Sequence, residues 1–232
     1  MIKKTIFLST GDVSGDLQGA LLVTALKQLA QKSDIELNIV ALGGCKMAAA
    51  GATILGDTTG LSSVGIVEHL VYIAPTIQIQ NVAKKYLKTN PPDAVVLIDY
   101  MGANLMMGNY FKKAFPDVPI IYYIAPQEWV WSLDSKNTNA IVKFTDEILS
   151  IFPAEARYFE GKGVAVEYVG HPLIDRVATL SSRQDAREKL GIGDDEIAIA
   201  LIPASRKQEL KYLLPAIFEA AQQIQEIGRA HV

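Results

Sequence analysis

The chain has 232 residues, of which 50% are hydrophobic and 20% charged, so it has enough apolar surface to offset the entropy cost of ordering. This composition excludes a disordered or collagen-like chain, and the length allows one large domain or two small ones. The net charge of −3 at pH 7 argues against duplex nucleic acid as the main partner. Cys45 is the only cysteine, which excludes an intramolecular disulfide and a cysteine metal cage and is typical of a reducing cytoplasm.

Short apolar runs rich in Val and Ile alternate along the chain with longer segments of helical periodicity. The lysines and apolar residues at the start resemble a signal peptide, but the apolar run stops at Ser9 and instead predicts a first buried strand. Strands are predicted at Ile6–Ser9, Leu37–Leu42, Ala94–Ile98, Ile120–Ile124, Ile148–Ile151 and Val164–Val169. Helices are predicted at Leu17–Gln31, Val71–Lys88, Asn104–Ala114, Asn139–Lys143 and Ala154–Lys162. Strands that are apolar on both faces and separated by helices indicate an α/β fold with a parallel sheet covered on both sides.

A second unit is predicted to begin after Gly170-His171-Pro172. It would contain a helix ending near Leu190, a strand at Ile197–Ile202 and a helix at about 208–225. One strand and two helices cannot close a second α/β domain. The prediction is therefore a complete Rossmann-like domain at residues 1–172, followed by the beginning of another at 173–225.

The last seven residues, 226–232, are predicted to be a non-native tail. Their sequence is the translation of GAG ATC GGA AGA GCA CAC GTC, which matches a widely used sequencing adapter whose next triplet in frame is a stop. The alternative is a natural helix end with Gly228 as its C-cap.

Two segments following predicted strands have residues suited to ligand binding. After the first strand come Gly11, Asp12, Ser14, Gly15 and Asp16, and a turn of this kind at a helix N-terminus favours anions and hydroxyl-rich ligands. For Asp16, ligand contact and helix N-capping are equally compatible with the sequence.

Asp99 directly follows the predicted central strand. Ligands of open α/β sheets bind in the crevice at the carboxyl ends of the strands. A carboxylate at the end of a buried strand is energetically costly unless it pairs with another group or has a functional role. The alternative is an N-cap for the next helix, a role that Asn104 could fill instead.

Three further features suggest weaker hypotheses. Trp129 and Trp131 share one loop, where packing is a more common role than stacking on a sugar, and His171 lies at the predicted domain junction. Arg206 occupies a second strand-to-helix turn and suits a phosphate, or it pairs with Glu209 on the surface.

On the basis of these residues, the chain resembles the lipid-A-disaccharide synthase family of two-domain GT-B type glycosyltransferases. The resemblance extends from Thr5 to about Gln225 and rests on seven segments in order. They are Gly11–Asp16, Gly43–Met47, Val64–Glu68, Ile98-Asp99 with Asn104, Trp129–Trp131, Gly170–Pro172, and Pro203–Arg206 with Glu209. The chain departs from the usual family pattern at Asp12, Gly102, Ser132 and Ala204.

The resemblance implies an inverting enzyme that joins UDP-2,3-diacylglucosamine to 2,3-diacylglucosamine 1-phosphate through a β-1,6 bond. Asp99 would be the base, and Ser205, Arg206 and Glu209 would bind the diphosphate. The acceptor side would be lined by Asp12, Ser14, Gly15, Asp16 and Asn104. No metal or organic cofactor is implied.

The resemblance further implies a peripheral protein on the cytoplasmic face of the inner membrane, and it allows a homodimer at full length. The apolar stretch from Val64 to Pro75, together with Leu105–Met107, is interpreted as an acyl-chain or bilayer-facing region, with core packing as the alternative. Because most of the second domain is missing, the chain alone is expected to be inactive. Two other functions remain open, namely a stand-alone α/β module that binds a phosphosugar or lipid, and another UDP-sugar enzyme such as an epimerase.

Overall fold

The computed structural model describes residues 2–61, 66–131, 134–203 and 207–229. The strands are β1 (Ile2–Ser9), β2 (Ile35–Gly43), β3 (Thr53–Asp57), β4 (Ala94–Ile98), β5 (Ile120–Tyr123), β6 (Glu147–Ser150) and β7 (Ala165–Tyr168). The helices are α1 (Val13–Lys32), α2 (Cys45–Ala49), α3 (Ile66–Thr89), α4 (Met101–Ala114), α5 (Lys136–Phe144), α6 (Pro153–Glu160), α7 (Leu173–Ala178), α8 (Arg183–Leu190) and α9 (Lys207–Arg229), with a short 3-10 helix at Gln127–Trp129.

The strands form one sheet in the order β3-β2-β1-β4-β5-β6-β7, and all neighbouring pairs are parallel. This arrangement confirms the predicted α/β class with a Rossmann-like sheet. The chain order reverses between β1 and β4, which lie side by side with Ser9 opposite Leu97. The crevice that such folds use for ligands therefore opens at the carboxyl ends of β1 and β4.

Helices cover both faces of the sheet, because successive strand residues point to opposite sides. Phe7 belongs to a core cluster that includes side chains of α3, α4, α5 and α6. The next residue, Leu8, belongs to a second cluster with Val23 of α1 and Met47 of α2. The sheet therefore has an α1–α2 face and an α3–α6 face.

Among the strands and α-helices of residues 1–172, β3 and α2 were not predicted. The β3 sequence is short and includes Gly56, which weakens any strand signal. The segment is a strand because it pairs with β2, and because Gly56 leaves room for Ile79 of α3, whose Cγ2 would lie 2.4 Å from an added Cβ. Tertiary contacts, rather than local propensity, determine this edge of the sheet.

The described chain divides into two compact units, Met1–Arg176 and Val177–Val232. In the second unit, the predicted strand at Ile197–Ile202 is wrong, since these residues form no regular structure and Ile197 is 90% exposed. A strand requires a neighbour for its backbone hydrogen bonds, and the described part of this unit offers no other strand.

In the described parts of the chain, no helix is both long and apolar enough to cross a membrane.

Candidate active site

The crevice between β1 and β4 brings together the two segments that the sequence singled out. Thr10 follows β1, and its backbone N–H donates to the Leu42 carbonyl of β2 at 3.0 Å. Asp99 follows β4, and its N–H donates to the carbonyls of Tyr123 and Ile124 at 3.2 and 3.1 Å. Both turns thus lie at the carboxyl edge of the sheet, held by strands on either side.

Asp12 is the N-cap of α1. Its Oδ1 accepts hydrogen bonds from the backbone N–H of Gly15 at 2.7 Å and from the Ser14 hydroxyl at 2.8 Å. A negative charge therefore already lies at the positive end of the helix, and an incoming anion would be repelled. Of the two ligand types predicted for this turn, the geometry favours hydroxyl groups over phosphate.

Asp16 lies in the first turn of α1 but serves another element. It is 1% exposed, and its carboxylate accepts hydrogen bonds from the backbone N–H groups of Gly44, Lys46 and Met47 at 2.8, 3.0 and 3.0 Å. These groups begin α2, so Asp16 joins α1 to α2. This differs from both sequence interpretations, because Asp16 neither caps its own helix nor faces the crevice with a free carboxylate.

The corner between β4 and α4 has an unusual backbone conformation. Asp99 and Tyr100 both have positive φ angles, of 46° and 41°. Tyr100 is the N-cap residue of α4, so the alternative that Asp99 caps this helix is wrong. The Tyr100 ring lies against Gly11, where an added Cβ would be 1.9 Å from Cδ1 of the ring. Gly11 thus allows the β4–α4 corner to close over the β1–α1 turn, and the corner holds Asp99 in a conformation that costs on the order of 1–3 kcal/mol per residue.

Asn104 lies fully buried beneath the corner. Its Oδ1 accepts from the Ser9 hydroxyl at 2.8 Å, and its Nδ2 donates to the carbonyls of Ile98 and Asp99 at 3.0 and 2.8 Å. Asn104 therefore ties the ends of β1 and β4 together. It was predicted to line the site, but the structure shows it supporting the backbone that presents Asp99.

The charge of Asp99 is destabilised where it lies. Burial raises the pKa of the carboxyl group, a hydrogen bond from the Tyr100 backbone lowers it, and the nearby Asp12 charge raises it again. The Tyr122 hydroxyl donates to the Asp99 carbonyl at 2.9 Å, and burial raises the Tyr122 pKa well above its ordinary value. A carboxylate whose pKa is raised is a stronger base than an ordinary aspartate, and this favours removal of a proton from a hydroxyl group.

Glu155 is a residue of this region that the sequence reasoning missed. It is buried, and it accepts hydrogen bonds from the backbone N–H groups of Ala125, Ile151 and Phe152 at 2.8, 2.9 and 3.3 Å. Burial raises its pKa, these hydrogen bonds lower it, and the Asp99 charge raises it further. The sequence signal was Pro153 at the first position of α6 with Glu155 two residues later, a pattern typical of a helix start.

The structure also shows the surroundings of Trp129, Trp131 and His171. Trp129 packs against Phe152, with ring centroids 5.6 Å apart, whereas Trp131 is exposed. Packing is therefore confirmed for Trp129 only. The Nδ1 atom of His171 accepts from the Leu173 N–H at 3.2 Å, and its ring lines a cavity of about 370 Å³ together with Leu22, Tyr123 and Leu149.

The predicted diphosphate site is not described. Ser205 and Arg206 lie outside the described residues, and Glu209 belongs to α9 but its side chain is also outside them. No group of three His, Cys, Asp or Glu residues in the described ranges could hold a metal ion.

Replacing Asp12 by Asn is expected to lower the pKa of Asp99, since removal of a neighbouring negative charge makes the ionised form less costly. The measurement is a carbon-detected NMR titration of the carboxyl groups in the 232-residue chain. Asp34→Asn is the matched control, because Asp34 precedes β2 at the opposite edge of the sheet and also has a positive φ. An equal shift in both variants, or none in the Asp12 variant, would contradict the proximity of the two charges.

Comparison with known proteins identifies the family. A sequence model described as Lipid-A-disaccharide synthetase matches residues 6–231. The chain belongs to the lipid-A-disaccharide synthetase family. The lipid-A-disaccharide synthase of Gloeothece citriformis is 56% identical over 221 residues, which cover 95% of this chain and 58% of that protein. The Synechocystis enzyme is 58% identical over 221 residues, covering 95% of this chain and 56% of its own length. The resemblance stated from sequence motifs is thereby confirmed, and the chain spans somewhat more than half the length of these family members.

Solved structures support the same fold class. UDP-GlcNAc 2-epimerase from Neisseria meningitidis, bound to UDP-GlcNAc, aligns with a TM-score of 0.52 and 10% identity over 83% of this chain and 55% of that chain. The S. aureus MnaA structure with UDP aligns with a TM-score of 0.54 and 15% identity over 80% of this chain and 50% of its own. At these identities the likeness concerns the fold alone.

Proposed function

We propose that this chain is part of an inverting glycosyltransferase that joins UDP-2,3-diacylglucosamine to 2,3-diacylglucosamine 1-phosphate through a β-1,6 bond. Membership of the lipid-A-disaccharide synthetase family supports the reaction. The observation that supports the catalytic assignment is the partly buried Asp99 at the β1–β4 crevice, with its pKa raised by burial.

In the proposed reaction, the Asp99 carboxylate removes the proton from the acceptor 6-hydroxyl as its oxygen attacks the anomeric carbon of the donor. The bond from that carbon to the UDP oxygen breaks, and UDP leaves with the electron pair. Attack from the face opposite the leaving group inverts the anomeric configuration. Asp12 and Ser14 would orient acceptor hydroxyls, while Ser205, Arg206 and Glu209 would stabilise the departing diphosphate.

The first domain would hold the acceptor, and the unit that begins near residue 173 would contribute to the UDP-sugar site. Residues 226–232 would be a foreign tail. We further propose that the protein acts as a peripheral protein on the cytoplasmic face of the inner membrane, where its lipid substrates are found. The 232-residue chain alone would lack most of the donor site and would not turn over substrate.

The proposal is tested with a full-length protein restored by reading the source gene beyond codon 225. UDP release is measured with donor alone, acceptor alone, and both together. We expect release only with both substrates, and a product whose anomeric proton coupling in NMR identifies a β linkage. UDP release that does not depend on the acceptor, or conversion of the donor into its C2 epimer, would overturn the proposal.

A further inference from the structure

Glu155 is a buried carboxylate that the proposed reaction does not use. Its side chain is 1% exposed, and within the described ranges no Lys, Arg or His forms an ion pair with it. A fully buried glutamate is rare unless another group compensates its charge, because loss of water destabilises the ionised form. Three backbone N–H groups and the N-terminus of α6 compensate the charge here. Hydrogen bonds to an ionised acceptor are shorter and stronger than neutral ones, which gives a reason for a charged residue at this position.

Only part of this hydrogen bonding belongs to the start of a helix. The Oε2 atom of Glu155 accepts from the N–H groups of Ile151 and Phe152 at 2.9 and 3.3 Å, which is an ordinary role for a glutamate in the first turn. The Oε1 atom accepts instead from the N–H of Ala125 at 2.8 Å, thirty residues earlier in the chain and just beyond the end of β5. One carboxylate therefore connects the start of α6 with the end of β5.

The end of β5 has a backbone conformation that requires such support. Ile124 has a φ of 58°, in the left-handed region, which is unfavourable for a β-branched residue. Its N–H donates to the Leu149 carbonyl of β6 at 3.2 Å, and the N–H of the next residue, Ala125, donates to Glu155. The amide groups on both sides of the Ile124 Cα are thus held, and a strained conformation persists only where its surroundings fix it in this way.

The same turn supports the backbone of Asp99. The Asp99 N–H donates to the carbonyls of Tyr123 and Ile124 at 3.2 and 3.1 Å. The Ile124 carbonyl and the Ala125 N–H belong to one peptide unit, which is planar and turns as a rigid body. Glu155 therefore holds one end of a peptide unit whose other end holds Asp99. The two carboxyl groups are also close enough for the Asp99 charge to raise the pKa of Glu155.

We propose that Glu155 is a positioning residue for Asp99, which it orients through the peptide unit between Ile124 and Ala125. This inference rests on the proposed function for the role of Asp99 as the base, and it adds a residue on which that role depends. The competing interpretation is that Glu155 stabilises the first unit as a whole, with no particular effect on Asp99.

Amide hydrogen exchange of the 232-residue chain, followed by NMR, tests the structural part independently of any reaction. Glu155→Gln keeps the shape of the side chain but replaces one acceptor oxygen by an N–H donor. The remaining oxygen is expected to stay with the two N–H groups at the start of α6, which leaves Ala125 without an acceptor. We expect the Asp99 amide to exchange roughly 10- to 100-fold faster, the factor for one lost hydrogen bond to a charged acceptor.

Asp146→Asn is the matched control for Glu155→Gln. It makes the same chemical replacement at the other end of β5, where the Asp146 carboxylate accepts from the Ile120 N–H at 2.9 Å. The Asp99 amide should exchange at the parent rate in this variant, because the amino end of β5 is remote from the turn at Ile124. Urea unfolding verifies that both variants are folded.

Turnover of the full-length protein tests the functional part. Glu155→Gln should lower kcat by roughly 10- to 100-fold with little change in KM, the effect of a small misplacement of a reacting group. Turnover is counted per UDP-binding site, measured by calorimetry, so that an inactive fraction does not contribute. Asp146→Asn should turn over like the parent. Adding Ile124→Gly to Glu155→Gln should recover part of both losses, since glycine adopts a left-handed φ without strain.

Three results would overturn the proposal, because each would give Glu155 a general role in stability. They are equal effects in Glu155→Gln and Asp146→Asn, a Glu155→Gln chain that does not fold, and no recovery on adding Ile124→Gly. An unchanged exchange rate at Asp99 would also contradict it. Faster exchange at Asp99 with normal turnover would support the orientation of Asp99 by Glu155, and would instead contradict the proposed function of Asp99 as the base.

Discussion

Replacing Asp99 by Asn is expected to lower turnover of the full-length protein by roughly 10²–10⁴-fold, the usual contribution of a general base. Asn has nearly the same shape and tolerates a positive φ, so the corner at 46° is retained while the group that accepts the proton is lost. Affinity for UDP should change little, because the donor contacts are assigned to other residues. Turnover is measured under saturating donor and acceptor, and UDP affinity by calorimetry.

Asp117→Asn provides the control for Asp99. Asp117 is an exposed carboxylate in the loop before β5, at the amino edge of the sheet, and its loss should leave turnover unchanged. Near-normal turnover of the Asp99 variant would remove this residue from the reaction. A reduced turnover that recovers at higher pH would instead indicate a different base that Asp99 merely orients.

Replacing Asp16 by Ala is expected to lower the free energy of unfolding of the first unit by roughly 3 kcal/mol. The buried carboxylate accepts hydrogen bonds from the N–H groups of Gly44, Lys46 and Met47 at the start of α2, and the substitution leaves all three without this acceptor. Asp16→Asn should lose less, since an amide oxygen can still accept part of this set. Urea unfolding monitored by tryptophan fluorescence measures the effect, because both tryptophans lie in the first unit.

Two further variants calibrate the Asp16 result. Asp12→Ala removes only an N-cap and should cost about 1 kcal/mol. Asp117→Ala, at an exposed loop position, should have almost no effect. If Asp16→Ala proved no more destabilising than Asp12→Ala, the connection of α1 to α2 through Asp16 would not be a major source of stability.

The sequence allowed the sheet, and the position of Asp99 at its carboxyl edge, to be predicted because their signals are local. The buried strands β1, β4 and β5 are short apolar runs, and Asp99 was placed at the carboxyl end of β4 by counting residues from such a run. The roles of Asp16 and Asn104 could not be predicted in the same way. Their hydrogen-bond partners lie on other elements, so only the assembled fold shows which groups each of them holds.

Other parts of the fold and of the site could not be predicted, because the contacts that determine them are distant in sequence or absent from the described residues. The strand β3 forms through β2 and α3, and Ile197–Ile202 stays irregular because the described unit supplies no partner strand. Glu155 was overlooked because a glutamate near a helix start is common on protein surfaces, and only its burial distinguishes it. The type of reaction could be inferred only from the resemblance to a family, since a carboxylate at a crevice is compatible with many chemistries.

The close contact of Gly11 with the Tyr100 ring has a consequence for how this protein can change over evolutionary time. Any side chain at position 11 would collide with the ring, and a collision relieved by moving the ring would displace the backbone that presents Asp99. A substitution at position 11 is therefore tolerable only together with a smaller residue at position 100. Across relatives, the residues at positions 11 and 100 should therefore change together, although almost ninety residues of chain separate the two turns.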